Sequence, residues 1–248
     1  MAFMKPILSR NTCIWIYVLA LHMLVLLLVF KTNFLTLAGK TLGWVPAEEW
    51  SLSVLDQMLT TAERARHSPK GAVLLLGDSL VVNLGEPNWP IPVVNAGLGG
   101  DTTRTLARRL ATLQTFDSAS AWIVGVGVND FKYRTTQTIA LDYKSLLDRF
   151  PVDRPLFIIG VFPVLETGTA ARNRSYLQNA AFHELNHELR LQCQRRLSCQ
   201  YVDPLPIVGN HNGEFESANF QEDGWHLSRL GANAVNTALA RRLGFPSP

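Results

Sequence analysis

The chain has 248 residues and a formal net charge of +3; 17% of its residues are charged and 47% hydrophobic. That length holds one domain of ordinary size plus an appendage, with enough chain to bury a single core. So small a positive charge, with no basic run interleaved with aromatics, excludes nucleic acid as the expected partner.

A short N-terminal segment, residues 1–11, precedes a strongly apolar run, TCIWIYVLALHMLVLLLVFK. From Thr12 to Phe30 only Thr12 and His22 are clearly polar. As a helix these residues would extend about 28 Å, close to the hydrocarbon thickness of a bilayer. The run is long for the apolar part of a signal peptide, and a small-x-small cleavage site is poorly offered. Residues 12–31 are therefore predicted to be an uncleaved transmembrane signal anchor, with a cleaved signal peptide as the competing reading. Lys5 and Arg10 before the span balance Lys31 and Lys40 after it, and the free amino terminus tips the balance toward an inside N-terminus. The rest of the chain would then face the periplasm or the extracellular side. Within the span His22 reads as a neutral imidazole, and Trp15 and Met23 as lipid-facing or interfacial side chains.

Residues 32–70 read as a linker with Gly39, Gly43 and Pro46, followed by a helix of mixed charge in AEEWSLSVLDQMLTTAERARH. From residue 71 to 248 apolar runs alternate with helical patterns. Short runs rich in Val, Ile and Leu at 72–76, 92–95, 121–126, 155–161 and 200–203 predict strands. Helical periodicity at 102–114, 136–149, 172–196 and 227–243 fills the intervals. In RTLARRLATL the arginines read as a solvated basic face. Strands separated by helices imply parallel βαβ units and a sheet covered on both faces. Ligands of such sheets bind beyond the carboxyl ends of the strands.

Polar residues gather where those ends should be. The first strand runs into Gly77-Asp78-Ser79, the second into AGLGGDTT, and the third into Gly127-Val128-Asn129-Asp130. Ahead of the last helix, EDGWHLS sets Asp223 three residues before His226. Taken singly, Ser79 is a good helix cap, Asn129 and Asp130 suit a turn, and Gly99-Gly100 suits a loop. All of them falling on one rim is a different matter.

These four segments, in this order, resemble the GDSL-type SGNH hydrolase superfamily of serine esterases, thioesterases, lipases and carbohydrate deacetylases. The resemblance covers about residues 71–243, and GGDTT is most similar to the platelet-activating-factor acetylhydrolase-like branch. It implies an α/β fold: a three-layer α/β/α sandwich with a five-stranded parallel flavodoxin-like sheet. It also implies an ester hydrolase that works through an acyl-enzyme without metal or organic cofactor. Ser79 would be the nucleophile, and a serine hydroxyl needs a neighbouring base. His226 would serve as that base and Asp223 would orient it. The oxyanion donors would be the N–H groups of Ser79 and Gly100 and the side-chain amide of Asn129. Asp78 and Asp130 would brace the site. The substrate would be a small-molecule, lipid or glycan acyl ester, with short acyl chains preferred. An O-acyltransferase acting on an envelope glycan or lipid would use the same triad, and a non-catalytic binding module is a third class.

One motif competes. His183-Glu184-Leu185-Asn186-His187 matches HExxH, which on a helix can bind zinc with the glutamate as base. On a helical wheel, however, Leu177, Ala181, Leu185, Leu189 and Cys193 form the apolar stripe, with both histidines on the opposite face. No third ligand follows, and the favoured reading is a solvated face rather than a metallohydrolase.

Three smaller features complete the reading. Cys193 and Cys199 are spaced either to pair in an oxidising compartment or to remain two free thiols. His211, Phe215 and Phe220, in a Gly/Asn-rich loop before the Asp-His pair, are candidates to wall a substrate pocket. Asn173-Arg174-Ser175 has the pattern of a glycosylation acceptor in a eukaryotic host.

Overall fold

The structure is a computed structural model that describes residues 10–31, 52–67, 69–113, 116–210 and 215–245. The chain divides into two compact units, residues 1–53 and 54–248. In the first, helix α1 spans Arg10–Lys31, the region predicted to be a membrane anchor. Among the described residues no helix is long and apolar enough to cross a membrane. Apolar residues around α1, from Ile14 and Trp15 to Val25 and Leu26, are exposed. His22 bonds back along the helix, its Nδ1 lying 2.7 Å from the Val18 carbonyl oxygen.

The second unit is built on a parallel sheet of five strands: β1 (Val73–Gly77), β2 (Val93–Asn95), β3 (Ala121–Gly125), β4 (Leu156–Ile159) and β5 (Cys199–Val202). Their order is β2-β1-β3-β4-β5. Every residue of β1, β3 and β4 is buried, so the central strands are continuous apolar runs, as a sheet covered on both faces requires. At the edge, β5 exposes Gln200 and buries only Val202 fully.

Around the sheet lie α2 (Leu52–Arg66), α3 (Ser79–Asn83), α4 (Thr103–Arg109), α5 (Thr136–Leu147), α6 (Thr169–Arg172), α7 (Asn179–Gln194), α8 (Leu205–Val208) and α9 (Arg229–Arg242). Helices α4, α5 and α7 pack in a row against one another, and α8 packs with α9. The second unit is thus a five-stranded parallel sheet accompanied by helices.

Two sequence expectations are corrected in detail. The helix expected over 172–196 begins only at Asn179, as α7; the short helix α6 ends at Arg172, and residues 173–178 separate the two. The arginines of α4 are not all solvated: Arg104 and Arg108 are exposed, but Arg109 is 2% exposed and ion-paired with Asp101 at 2.7 Å. A buried guanidinium is tolerated because a buried carboxylate and the Gly77 carbonyl meet it.

Cys193, at the end of α7, and Cys199, at the start of β5, form a disulfide with their Cα atoms 5.2 Å apart. It ties the last turn of α7 to the edge strand.

Candidate active site

Strand β1 ends against β3 so closely that only glycine fits. A Cβ on Gly77 would lie 1.9 Å from the Gly125 carbonyl oxygen and 2.6 Å from Val81 Cγ2. The chain turns there, and Asp78 caps α3 by accepting the Leu80 N–H at 2.9 Å. Ser79 is thereby the first residue of α3, half-buried at the carboxyl end of the sheet.

The opposing residues come from a loop closed on itself. Phe220 and Leu227 bridge antiparallel, and the Gln221 N–H donates to the His226 carbonyl at 2.7 Å. The segment following β4 clamps this loop: the Leu165 N–H donates to Gly224 and the Ala170 N–H to Asp223. At its tip, Asp223 Oδ1 accepts the N–H groups of Trp225 and His226 at 2.9 and 3.0 Å. Its other oxygen, Oδ2, lies 2.6 Å from His226 Nδ1.

The result is a hydrogen-bonded line across the rim. His226 Nε2 is 3.0 Å from Ser79 Oγ. Burial alone would raise the Asp223 carboxyl, but hydrogen bonds from the His226 ring and the two backbone N–H groups outweigh it and hold it below the usual carboxylate range. An ionised carboxylate only accepts, so Nδ1 must carry a proton, which leaves Nε2 to accept from the serine.

The remaining predicted residues stand on the segments that follow β2 and β3. Gly100 has φ +83°, is exposed, and a Cβ there would meet nothing within 4 Å. Among the described residues no acceptor takes its N–H. Asn129, on the turn after β3, is buried; its Nδ2 donates to the Asp101 carbonyl at 3.1 Å, and its Oδ1 accepts from Lys132 Nζ at 3.1 Å. One N–H of the amide is thus committed to the protein, and its second is left for another acceptor.

Below these groups lie three buried acids. Burial pushes the Asp78 carboxyl up to about 8, against the pull of the Leu80 N–H and with repulsion from Asp101 and Asp130 adding to it. Asp130 is pushed up to about 6 by burial, although Thr103 and Arg134 bind it. Asp101 holds Thr105 and Arg109 through its carboxylate while its carbonyl holds Asn129. Sequence reasoning missed this role of Asp101, as it did Arg109 and the Asn95 side chain. Asn95 ties β2 to α3 by donating to the carbonyls of Val81 and Gly85. A signal existed for Asp101, since it stands inside GGDTT directly after Gly100.

Other expectations fall elsewhere. His183 and His187 are exposed, but they do line a cleft of about 190 Å³, with Arg190 and Asp203, contrary to the expectation that they face open solvent alone. Among the described residues no group of three or more His, Cys, Asp or Glu is placed to hold a metal ion. Phe220 is buried and stacks on Phe215 with ring centroids 4.3 Å apart, so this pair anchors its loop. His211 lies outside the described residues.

This fold and rim define the class. A model of the GDSL-like lipase/acylhydrolase family matches residues 60–234, well over half of the chain. The protein belongs to that family, and it is a hydrolase acting on ester bonds. No curated protein matches it. Among solved structures it is similar to a candidate platelet activating factor from Streptococcus pneumonia, at 18% identity and a TM-score of 0.67, covering 84% of this chain and 99% of that one. It is also similar to a lipase/acylhydrolase from Enterococcus faecalis, with 18% identity, a TM-score of 0.58, and 70% and 95% of the two chains covered. A catalytic mutant of an acetylxylan esterase from Geobacillus stearothermophilus matches at 16% identity and a TM-score of 0.55, over 71% and 95% of the chains. At such identities the likeness establishes the shared fold.

Proposed function

We propose that the protein is a membrane-anchored serine esterase that works through an acyl-enzyme, with Ser79 as nucleophile. The supporting observation is the continuous hydrogen-bonded line Ser79–His226–Asp223, with heavy-atom distances of 3.0 and 2.6 Å. Ser79 Oγ attacks the ester carbonyl while its proton passes to His226 Nε2, and the imidazolium formed is stabilised by ionised Asp223. The N–H groups of Ser79 and Gly100 and the second Nδ2 hydrogen of Asn129 receive the oxyanion. Collapse of the intermediate expels the alcohol, which takes the proton from His226. Water then enters, gives its proton to His226, and releases the acid by the reverse sequence.

Anchoring rests on the apolar run Thr12–Phe30 and on the unburied apolar side chains around α1. A Cys193–Cys199 bridge suits an oxidising compartment, which supports a periplasmic or extracellular catalytic domain. The substrate is a small-molecule, lipid or glycan acyl ester with a short acyl chain.

The test is a series of para-nitrophenyl esters from acetate to palmitate, given to the detergent-solubilised full chain. Acetate to butyrate should be preferred, free acid should be the product, and Ser79→Ala should abolish turnover. Wild-type rates in Ser79→Ala would overturn the reading.

A further inference from the structure

Two cations stand beside the proposed site, and a series of contacts connects each to it. The Trp225 ring lies 4.5 Å, centroid to centroid, from the ring of His226. The Arg174 guanidinium sits 5.3 Å from the Trp225 centroid. Two residues on, the ring of Tyr176 carries the Lys132 ammonium 5.5 Å from its centroid. Lys132 in turn donates to Asn129 Oδ1. An arc of aromatic and cationic groups therefore runs from the proposed base to the proposed oxyanion donor.

Both cations are exposed, and among the described residues neither is ion-paired with a carboxylate. Arg109 and Arg134 nearby are different, each paired with a buried aspartate. Asp223, two residues before Trp225, is engaged with His226. Partial burial, together with repulsion from Arg174, holds the Lys132 ammonium below its usual range, while Asp78 pulls it upward. Two like charges left near one another, on a rim with low-dielectric walls, focus a positive field where substrate must arrive.

We propose that Lys132 and Arg174 form a subsite for an anionic group, a carboxylate or phosphate, carried by the acyl ester close to its scissile bond. An anion placed there relieves the repulsion between the cations. It also meets the planar fork of Arg174, suited to two-point contact, and the point charge of Lys132. The subsite rests on the Ser79 esterase reading and specifies the substrate class of that same site.

Three aryl acetates that differ only in the para group separate the cases: a neutral carboxamide, a carboxylate and a phosphate. For each, kcat/KM is measured on the full chain, and each anionic-to-neutral ratio in a variant is divided by that of the wild type, which cancels leaving-group reactivity. Arg174→Gln should lower the ratio about fivefold for at least one anion, as one exposed charge pair suggests. Arg174→Lys should restore most of it, and Lys132→Gln should lower it as well. The preference should shrink with added salt. Which anion responds more identifies the natural group. Ratios unmoved by Arg174→Gln would overturn the subsite while Ser79→Ala remained inactive. Activity on all three esters in Ser79→Ala would instead overturn the esterase reading beneath it.

Discussion

Ser79 Oγ and His226 Nε2, 147 positions apart in the chain, lie 3.0 Å from each other. The approach depends on two separate constraints. The close packing of Gly77 on Gly125 sets where the serine emerges, and the clamp between the segment after β4 and Gly224 sets where the imidazole hangs. Removing either functional group should therefore stop catalysis without unfolding the domain. Ser79→Ala and His226→Ala are each expected to lower kcat by at least about 10³-fold, with thermal melting close to wild type. Burst and steady-state kinetics on para-nitrophenyl butyrate measure the first, and calorimetry the second.

Asp223 does two things, and one substitution separates them. Asn at 223 keeps an oxygen for the N–H groups of Trp225 and His226 but can present an N–H toward Nδ1, which favours the wrong tautomer of His226. Asp223→Asn should then fold normally and lose about 10⁴-fold in kcat. If Asp223 only shaped the loop, the same variant would keep near-wild-type activity.

The strands were legible because the three central ones are buried on both faces, so Val73–Leu76 and Ala121–Val124 carry no polar residue to blur them. Ser79 and Asn129 were legible for a related reason, each standing on the turn after a strand, whereas Asp223 and His226 were legible from their spacing just ahead of the last helix. Arg109 was not, since periodicity on α4 alone cannot distinguish a solvated arginine from one paired with Asp101, which precedes the helix. The arc through Arg174 and Trp225 was hidden further, because it exists only once the segment after β4 folds onto the loop at 220–227. A helix read straight through 172–196 leaves no turn at 173–178 to carry that arginine to Trp225.

Arg109 offers a test of how the site is supported. Its partner Asp101 is fully buried, and that same residue holds Asn129 through its carbonyl. Arg109→Met strands a carboxylate in the interior, a change that typically costs about 3–5 kcal/mol. Urea denaturation should show that loss. At temperatures where the variant is still folded, kcat should fall as well, because Asp101 and Asn129 share a hydrogen bond.

The disulfide closes a loop between positions only six apart, so its effect on the unfolded chain is modest. The loop-entropy relation gives about 2 kcal/mol. Cys193→Ala/Cys199→Ala should lower the unfolding free energy from urea titration by about that amount, and dithiothreitol should do the same to the wild type and nothing to the variant. Esterase activity at low temperature should be retained, since the bridge joins α7 to the start of β5, away from the carboxyl ends of the strands.

Asp78 predicts how stability varies with pH. Its folded value is pushed up to about 8 from an ordinary 3.8, chiefly by burial. Between those values the folded protein holds a proton that the unfolded chain has released, so stability falls as pH rises through this window. Below about 4 both states are protonated, and above about 8 both are ionised, so the slope from this group vanishes at either end. Asp130, pushed up to about 6, adds a slope of the same sign over a narrower range. Asp78→Asn mimics the protonated acid and keeps an acceptor for the Leu80 N–H. Melting temperatures from pH 5 to pH 9 should therefore fall steeply for the wild type and less for Asp78→Asn, with the variant the more stable of the two at pH 9. Parallel curves for the two proteins would mean that Asp78 is ionised throughout and that its burial is offset by contacts stronger than the Leu80 N–H.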